Sequence, residues 1–513
     1  MSSLLSLAPS GLVAETSVCI FLLLFACMFR FTRRERIIFP PGPKPLPFVG
    51  NLPHLPKVEA WLKHMQWARE YGDITSFKVF NTVIIVINST RVAKDLFEKR
   101  GTIYSDRPNV PFFDLFGFCD WNLVGSSMTA EWHKRRKLCD YGLRPGAIKQ
   151  YQPMQMSRIH AFLRKVLSEP ADFVKHVRDL EGGILLSMAY GYDIKDDLCP
   201  LVRIAEALDK LVNTNGQPGA LLVNTLPILR YLPEWIPGMG FKAEARRCLA
   251  MSEEMINRPF QYVKRGMRVG NAAPSFTLNC LEGQQYQGSQ EELEQAVSGL
   301  SATLYAAGID TSVSTMNGVF LFMARYPDIQ RKARTELDLV VGRDRLPAYK
   351  DRVRLPYVNA VCMEIFRFKT VVPLGVPHAT TADDIYEGFF IPKGSIVMAN
   401  QWAMLHDPDL YPEPDTFKPE RFITNEGSLK VEPNLSVGFG LGKRICPGRH
   451  LVDSTFWIFV ASVLSVFEIS DVNATTKEKD VGYTDGGIVI HPDPFVCQIT
   501  PRDSRAEALI LEV

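Results

Sequence analysis

The 513 residues carry 58 Lys and Arg against 56 Asp and Glu, a formal net charge of +2, and 46% of them are hydrophobic. This balance gives no electrostatic footprint for nucleic acid, while the composition is rich enough in apolar residues for a large buried core. The ten cysteines are scattered with no C-x-x-C pair, which excludes a zinc knuckle, an iron–sulfur cluster or a dense disulfide framework.

Leu12–Phe29 is apolar apart from Glu15, Thr16 and Ser17. As helix it would rise about 27 Å, close to the thickness of a bilayer core. No Lys or Arg precedes it and no small-x-small cleavage site follows, so it does not read as a signal peptide. Arg30, Arg33, Arg34 and Arg36 should hold their flank in the cytosol. The expectation is a membrane anchor over 1–39, with a luminal N-terminus, one transmembrane helix and a cytosolic remainder. Pro40, Pro41, Pro43, Pro45 and Pro47 fix φ and disfavour helix, predicting a stiff hinge over 40–53. No second linker or composition break follows, so 54–513 reads as one large domain.

Thr75–Asn88 alternates and is rich in Val, Ile and Phe, predicting a strand pair around Asn81. Glu131–Gly142, Gln155–Leu167 and Asp328–Val341 read as amphipathic helices. The loop Pro111–Leu123 carries Phe112, Phe113, Leu115, Phe116 and Phe118. Leu221–Gly240, with Pro227, Tyr231, Pro233, Trp235 and Pro237, either packs inside the domain or dips into a membrane surface. Ser289-Gln290-Glu291-Glu292 is a capping-box pattern opening a helix to about Arg325, roughly 55 Å long. Its middle, Leu300–Ser314, is small and apolar and should be buried.

Within that helix, Thr311 can bond a carbonyl one turn back and loosen the helix, and Asp310 beside it offers a proton route. Glu364 and Arg367 share one helix face. In Phe439–Gly448 the glycines allow a tight bend, Pro447 suits the first position of a helix, and Cys446 falls at that helix's N-terminus. Backbone N–H groups and the helix dipole would there lower the thiol's pKa.

The spacing Phe439-x-x-Gly442-x-Arg444-x-Cys446-x-Gly448 matches the haem signature F-x-x-G-x-R-x-C-x-G, and the chain resembles the cytochrome P450 family over essentially its whole length. The resemblance implies a mainly α fold with small β-sheets, a triangular helical prism behind the N-terminal transmembrane helix. It assigns Cys446 as the axial thiolate of haem b, a ligand that pushes electron density toward O–O cleavage. Phe439 would pack near the thiolate, and Arg444, Trp132, Arg136 and His378 would meet the haem propionates. Ala307 and Gly308 match the oxygen-binding motif, with proton delivery by Asp310 and Thr311. Glu364, Arg367 and Arg421 would form a structural triad. The pocket wall would come from Phe112, Phe113, Phe116, Leu304, Ala307 and Val371–Val376, Val372 included, and suits a small lipophilic substrate.

The chain has no flavin or nicotinamide module, so the resemblance implies electrons from NADPH through a separate NADPH–cytochrome P450 reductase, with cytochrome b5 as a further candidate partner. Lys443, Arg449 and the run Lys134–Lys137 are candidate contacts for that docking. The expected location is the endoplasmic reticulum membrane. Ser105-Asp106-Arg107-Pro108 and His406-Asp407-Pro408 are most similar to fungal enzymes of secondary metabolism, whose substrates are terpenoids, polyketides and alkaloids. A haem-thiolate isomerase, dehydratase or peroxygenase is the rival enzyme class, and a haem carrier or sensor the rival non-enzyme.

Overall fold

The computed structural model describes residues 38–56, 58–192, 200–216, 220–283, 286–472, 482–484 and 487–513. The anticipated membrane helix lies outside them, and among the described residues no helix is long and apolar enough to cross a membrane.

The predicted strand pair forms from β1 (Ile74–Val79) and β2 (Thr82–Ile87), antiparallel in the register Ile74↔Ile87 to Val79↔Thr82. The turn bends at Phe80, whose φ is 51°. Next in the chain come α1 (Ala130–Leu143), α2 (Gln152–Ser168), α3 (Phe173–Tyr190), α4 (Pro200–Asn215) and α5 (Phe241–Val269). Then follow α6 (Gln290–Arg325), α7 (Pro327–Val340), α8 (Pro356–Phe368), β3 (His378–Ala379), β4 (Ile396–Ala399) and α9 (Arg449–Val466). The sheet order is β1-β2-β4-β3, with β2 and β4 parallel. Ile84–Ile87 is buried on both faces, as a strand in the middle of a covered sheet should be.

The three amphipathic helices predicted from periodicity appear as α1, α2 and α7. The long helix is α6. Ser289 Oγ accepts from Glu292 N at 3.2 Å while Glu292 Oε2 accepts from Ser289 N at 2.7 Å, so both halves of the capping box are made. Much of its centre is buried, with α3 lying along it, but Ala307 is exposed and Leu304, Gly308 and Thr311 are half-buried where the helix borders the cavity. A Cβ added at Gly308 would come within 2.9 Å of Leu185, and one at Gly182 within 3.1 Å of Val202. Gly308 thus lets α3 close on α6, and Gly182 lets α4 close on α3.

The proline arm is tied to the sheet. Ser76 N donates to Pro41 O at 2.9 Å, and Gly50 bridges Val79. The loop Pro111–Leu123 holds two single helical turns, Pro111–Asp114 and Phe118–Trp121, joined at Gly117 with φ 63°. Leu221–Gly240 packs inward in part, with Val223 and Met239 buried, and leaves Leu222, Ile228, Tyr231 and Trp235 exposed, Trp235 at 82%.

The Glu364–Arg367–Arg421 group is assembled and sealed. Arg367 donates to Glu364 at 2.7 and 2.9 Å, and to the carbonyls of Leu405 and Pro414 at 2.9 Å each. Arg421 Nε adds a 3.2 Å bond to Glu364. With Glu364 and Arg367 both 0% exposed, the group welds α8 to the segment that precedes the cysteine loop.

Candidate active site

A cavity of about 310 Å3 lies between α6 on one side and the cysteine loop with the start of α9 on the other. The loop is shaped by two glycines. Gly440 (φ 84°) and Gly442 (φ 59°) occupy the left-handed side of φ space, and a Cβ at Gly442 would collide with the Phe97 carbonyl. Cys446 N donates to Phe439 O at 2.7 Å, closing the loop. The Phe439 ring packs on Phe366 at 5.4 Å.

Cys446 does not stand directly at a helical first turn. Gly448 is the N-cap of α9 and Pro447 lies before it, because Arg449 N turns back to Cys446 O and the helical ladder opens only with Val452 N to Gly448 O. Burial pushes the Cys446 thiol up from its ordinary value. Hydrogen bonds from the Gly448 and Arg449 backbones, and the charges of Arg136 and Arg449, pull it down. Dehydration outweighs the helix end in the protein alone, so a cation at the sulfur is needed to hold the thiolate.

Three arginines and a histidine gather on one rim: Arg107, Arg136, His378 and Arg444 all line the cavity. Arg444 donates to the carbonyls of Ser105 (2.8 Å) and Ser126 (2.7 Å) and stacks over Trp132 at 4.3 Å. The Trp132 indole N–H is engaged by the Leu123 carbonyl at 3.1 Å, so the ring supports Arg444. Arg136 pairs with Asp140 at 2.9 Å one turn on. His378 donates from Nδ1 to Tyr104 O at 2.8 Å. Arg107 gives its protons to the carbonyls of Val124, Val376 and Pro377 at 2.7–2.8 Å.

Burial lowers Arg107 well below its ordinary value, Arg444 beside it adds repulsion, and Asp106 offsets part of this. Burial likewise takes Arg444 down to about 10 and depresses His378. Buried guanidinium groups bonded to neutral carbonyls lack a counter-charge. A flat macrocycle bearing two carboxylates would supply it, so the donor set fits haem, with Cys446 on the iron. Arg107 was read from the sequence only as a subfamily detail, and no motif flagged it for this rim.

On the opposite wall Thr311 Oγ1 donates to the carbonyls of Ala307 (3.0 Å) and Gly308 (3.4 Å), and all three residues line the cavity. Asp310 faces away. It pairs with His491 Nε2 at 3.0 Å, both side chains being 29% exposed. Asp209 on α4 meets it as well: burial and the Asp310 charge push Asp209 up to about 8. Neither His491 nor Asp209 sits in a recognisable motif. Leu304 and Val372 reach the cavity wall, whereas Phe112, Phe113 and Phe116 stack on one another at 5.5–6.3 Å behind it.

The mainly helical fold and its cysteine loop facing the long helix define the class. The cytochrome P450 family matches residues 40–499. The chain is 40% identical to cytochrome P450 monooxygenase 208 of Postia placenta, covering 97% of each chain. It is 38% identical to cytochrome P450 monooxygenase claR of Ampulloclitocybe clavipes, over 98% of this chain and 94% of that one. Against cytochrome P450 monooxygenase COX1 of Coprinopsis cinerea the identity is 37%, over 92% and 93%. The chain belongs to the cytochrome P450 family of monooxygenases, which use haem with an axial cysteine thiolate and take electrons from a reductase partner.

Proposed function

We propose that this chain is an endoplasmic-reticulum-anchored monooxygenase that oxidises a small lipophilic metabolite of fungal secondary metabolism, a terpenoid, polyketide or alkaloid. The balance is RH + O2 + NADPH + H+ giving ROH + H2O + NADP+, with NADPH–cytochrome P450 reductase as the electron carrier and cytochrome b5 as a second candidate donor. The observation that carries the reading is the cavity itself, with Cys446 and Thr311 on facing walls and a cationic rim at its edge.

Haem bound there supplies O2 activation and C–H oxidation. The protein's own residues do the rest. Arg107, Arg444 and His378 would hold the carboxylates and so orient the ring. Leu304, Val372 and Val376 offer apolar contact and keep water from the substrate. Thr311 holds a proton at Oγ1 on the cavity side, and Asp310, partly exposed, takes its replacement from solvent. The exposed Lys137 and Lys443 suit an acidic reductase face. Exposed Leu222, Ile228, Tyr231 and Trp235 suit contact with the lipid surface beside the anchor.

The decisive experiment is the carbon monoxide difference spectrum of reduced microsomes, followed by NADPH- and reductase-dependent turnover of a lipophilic panel. A red-shifted Soret band that vanishes in Cys446→His, with turnover that needs reductase, is the expected result. Haem binding without that band, or full turnover on peroxide alone, would overturn the reading.

A further inference from the structure

One buried acid in the cavity is not used by the reaction as described so far. Glu181 on α3 is 2% exposed and lines the cavity wall together with Thr311 and Ser312. It stands one turn before Leu185 on the helix face that meets Gly308 of α6. Its Oε1 has no hydrogen-bond partner among the described residues. The Ser312 hydroxyl of α6 is a neighbour of its carboxyl that favours the charged form. Burial raises Glu181 to about 8, and Ser312 lowers it only in part, so the group keeps its proton at neutral pH.

A carboxylic acid sealed between two helices with one oxygen unpartnered costs stability and specifies nothing about packing. It has two possible uses: to grip a polar group of the substrate, or to hand over its proton. Position decides between them. Leu304 and Ala307, on the substrate side of α6, lie one to two turns before Ser312. Ser312 directly follows Thr311, and both line the cavity with Glu181, which sets the acid at the oxygen end. Asp310, by contrast, is outside the wall and bound to His491 at 3.0 Å.

We propose that Glu181 is a second proton source for the oxygen side of the cavity, acting through Ser312 and in parallel with Asp310 and Thr311. The Glu181 O–H bond breaks as the Ser312 oxygen accepts that proton, and the Ser312 hydroxyl releases its own toward dioxygen. The glutamate left behind regains a proton from water entering the cavity. The electrons are the two NADPH already provides, and one oxygen atom leaves as water. This rests on the monooxygenase reading above.

The test uses the full-length haem-loaded enzyme with reductase, an alkoxycoumarin probe, and the variants Glu181→Gln, Ser312→Ala, Asp310→Asn and the double Glu181→Gln/Asp310→Asn. Infrared difference spectroscopy should show the carbonyl stretch of a protonated carboxyl that disappears in Glu181→Gln and shifts in Ser312→Ala. Glu181→Gln should keep its carbon monoxide band and lose about threefold in product formed per NADPH, a part of what one general acid contributes. The double variant should lose more than the product of the single losses, as parallel routes require. Absence of the infrared band, or unchanged coupling in Glu181→Gln, overturns the proposal. So does a change confined to spectral binding of the probe, which would make Glu181 a substrate anchor. A wild-type enzyme that oxidises no probe with reductase present overturns the monooxygenase reading and this proposal together, a result distinct from the others.

Discussion

Arg367→Met should be among the most damaging single changes in the chain, and less harmful when Glu364 is removed with it. Methionine keeps most of the volume but deletes the charge and four hydrogen bonds, two to Glu364 and two to the carbonyls of Leu405 and Pro414. Glu364, 0% exposed, keeps the Lys418 N–H at 2.8 Å and Arg421 at 3.2 Å. Breaking a buried pair costs about 3–5 kcal/mol, and each orphaned carbonyl about 1–3 kcal/mol more. Arg421 offsets part of the first term, leaving about 4–6 kcal/mol, or roughly a thousandfold or more in the folding equilibrium. Glu364→Leu/Arg367→Met removes the stranded charge as well and should recover about 2 kcal/mol of that loss. Urea denaturation of the wild type, Arg367→Met, Glu364→Leu and the double variant, read as midpoint shifts at constant slope, measures this directly. A double variant as unstable as the sum of the two singles would refute the reasoning. It would mean the pair contributes nothing through charge burial and each residue acts alone.

Thr311→Ala should give a folded, haem-loaded enzyme that leaks reducing equivalents, with product per NADPH down about tenfold; peroxide release measured beside NADPH consumption checks it. Arg107→Gln removes a desolvated cation from the haem rim, so the protein without haem should gain stability while haem is lost faster, seen by melting with and without haem and by transfer to apomyoglobin. Asp209 binds its proton up to about 8 when folded but only to about 4 when unfolded. The folded state therefore holds the extra proton between those values, and stability from this group is full below about pH 4 and falls as pH rises to about 8. Asp209→Asn should flatten that part of the stability-versus-pH profile, and an unchanged profile would remove Asp209 from the account.

What could be read from the sequence is what lies within one local stretch of chain. The cysteine loop, the capping box at Ser289, the hairpin about Asn81 and the Glu364–Arg367 pair are each written in fewer than fifteen consecutive residues. Their geometry follows from glycine φ, helix periodicity and strand alternation. Groups brought together from distant segments were legible only through the family resemblance, as with Arg421 on Glu364, and otherwise not at all. Glu181, Asp209 and His491 converge on α6 from three elements and share no spacing rule. Arg107 becomes a rim residue only because the turn before β3 delivers the Val376 and Pro377 carbonyls to it. Phe112, Phe113 and Phe116 are expected in the cavity wall and lie behind it, because hydrophobicity alone does not separate a wall from the layer behind it. Cys446 illustrates competing terms: the favourable backbone N–H groups are present, yet the depth of the site outweighs them.

The proline arm has a bearing on aggregation. β1 is the outermost strand of its sheet, and outermost strands expose unpaired N–H and C=O groups to any passing chain. Here the Pro41 carbonyl occupies the Ser76 N–H, and Gly50 shields Val79, while the prolines between them cannot donate to a newcomer. The segment that leads to the membrane thus doubles as a guard rail. A shortened protein starting at Ile38 would retain the guard, whereas one starting at Asn51 would offer β1 as a template for edge-to-edge association.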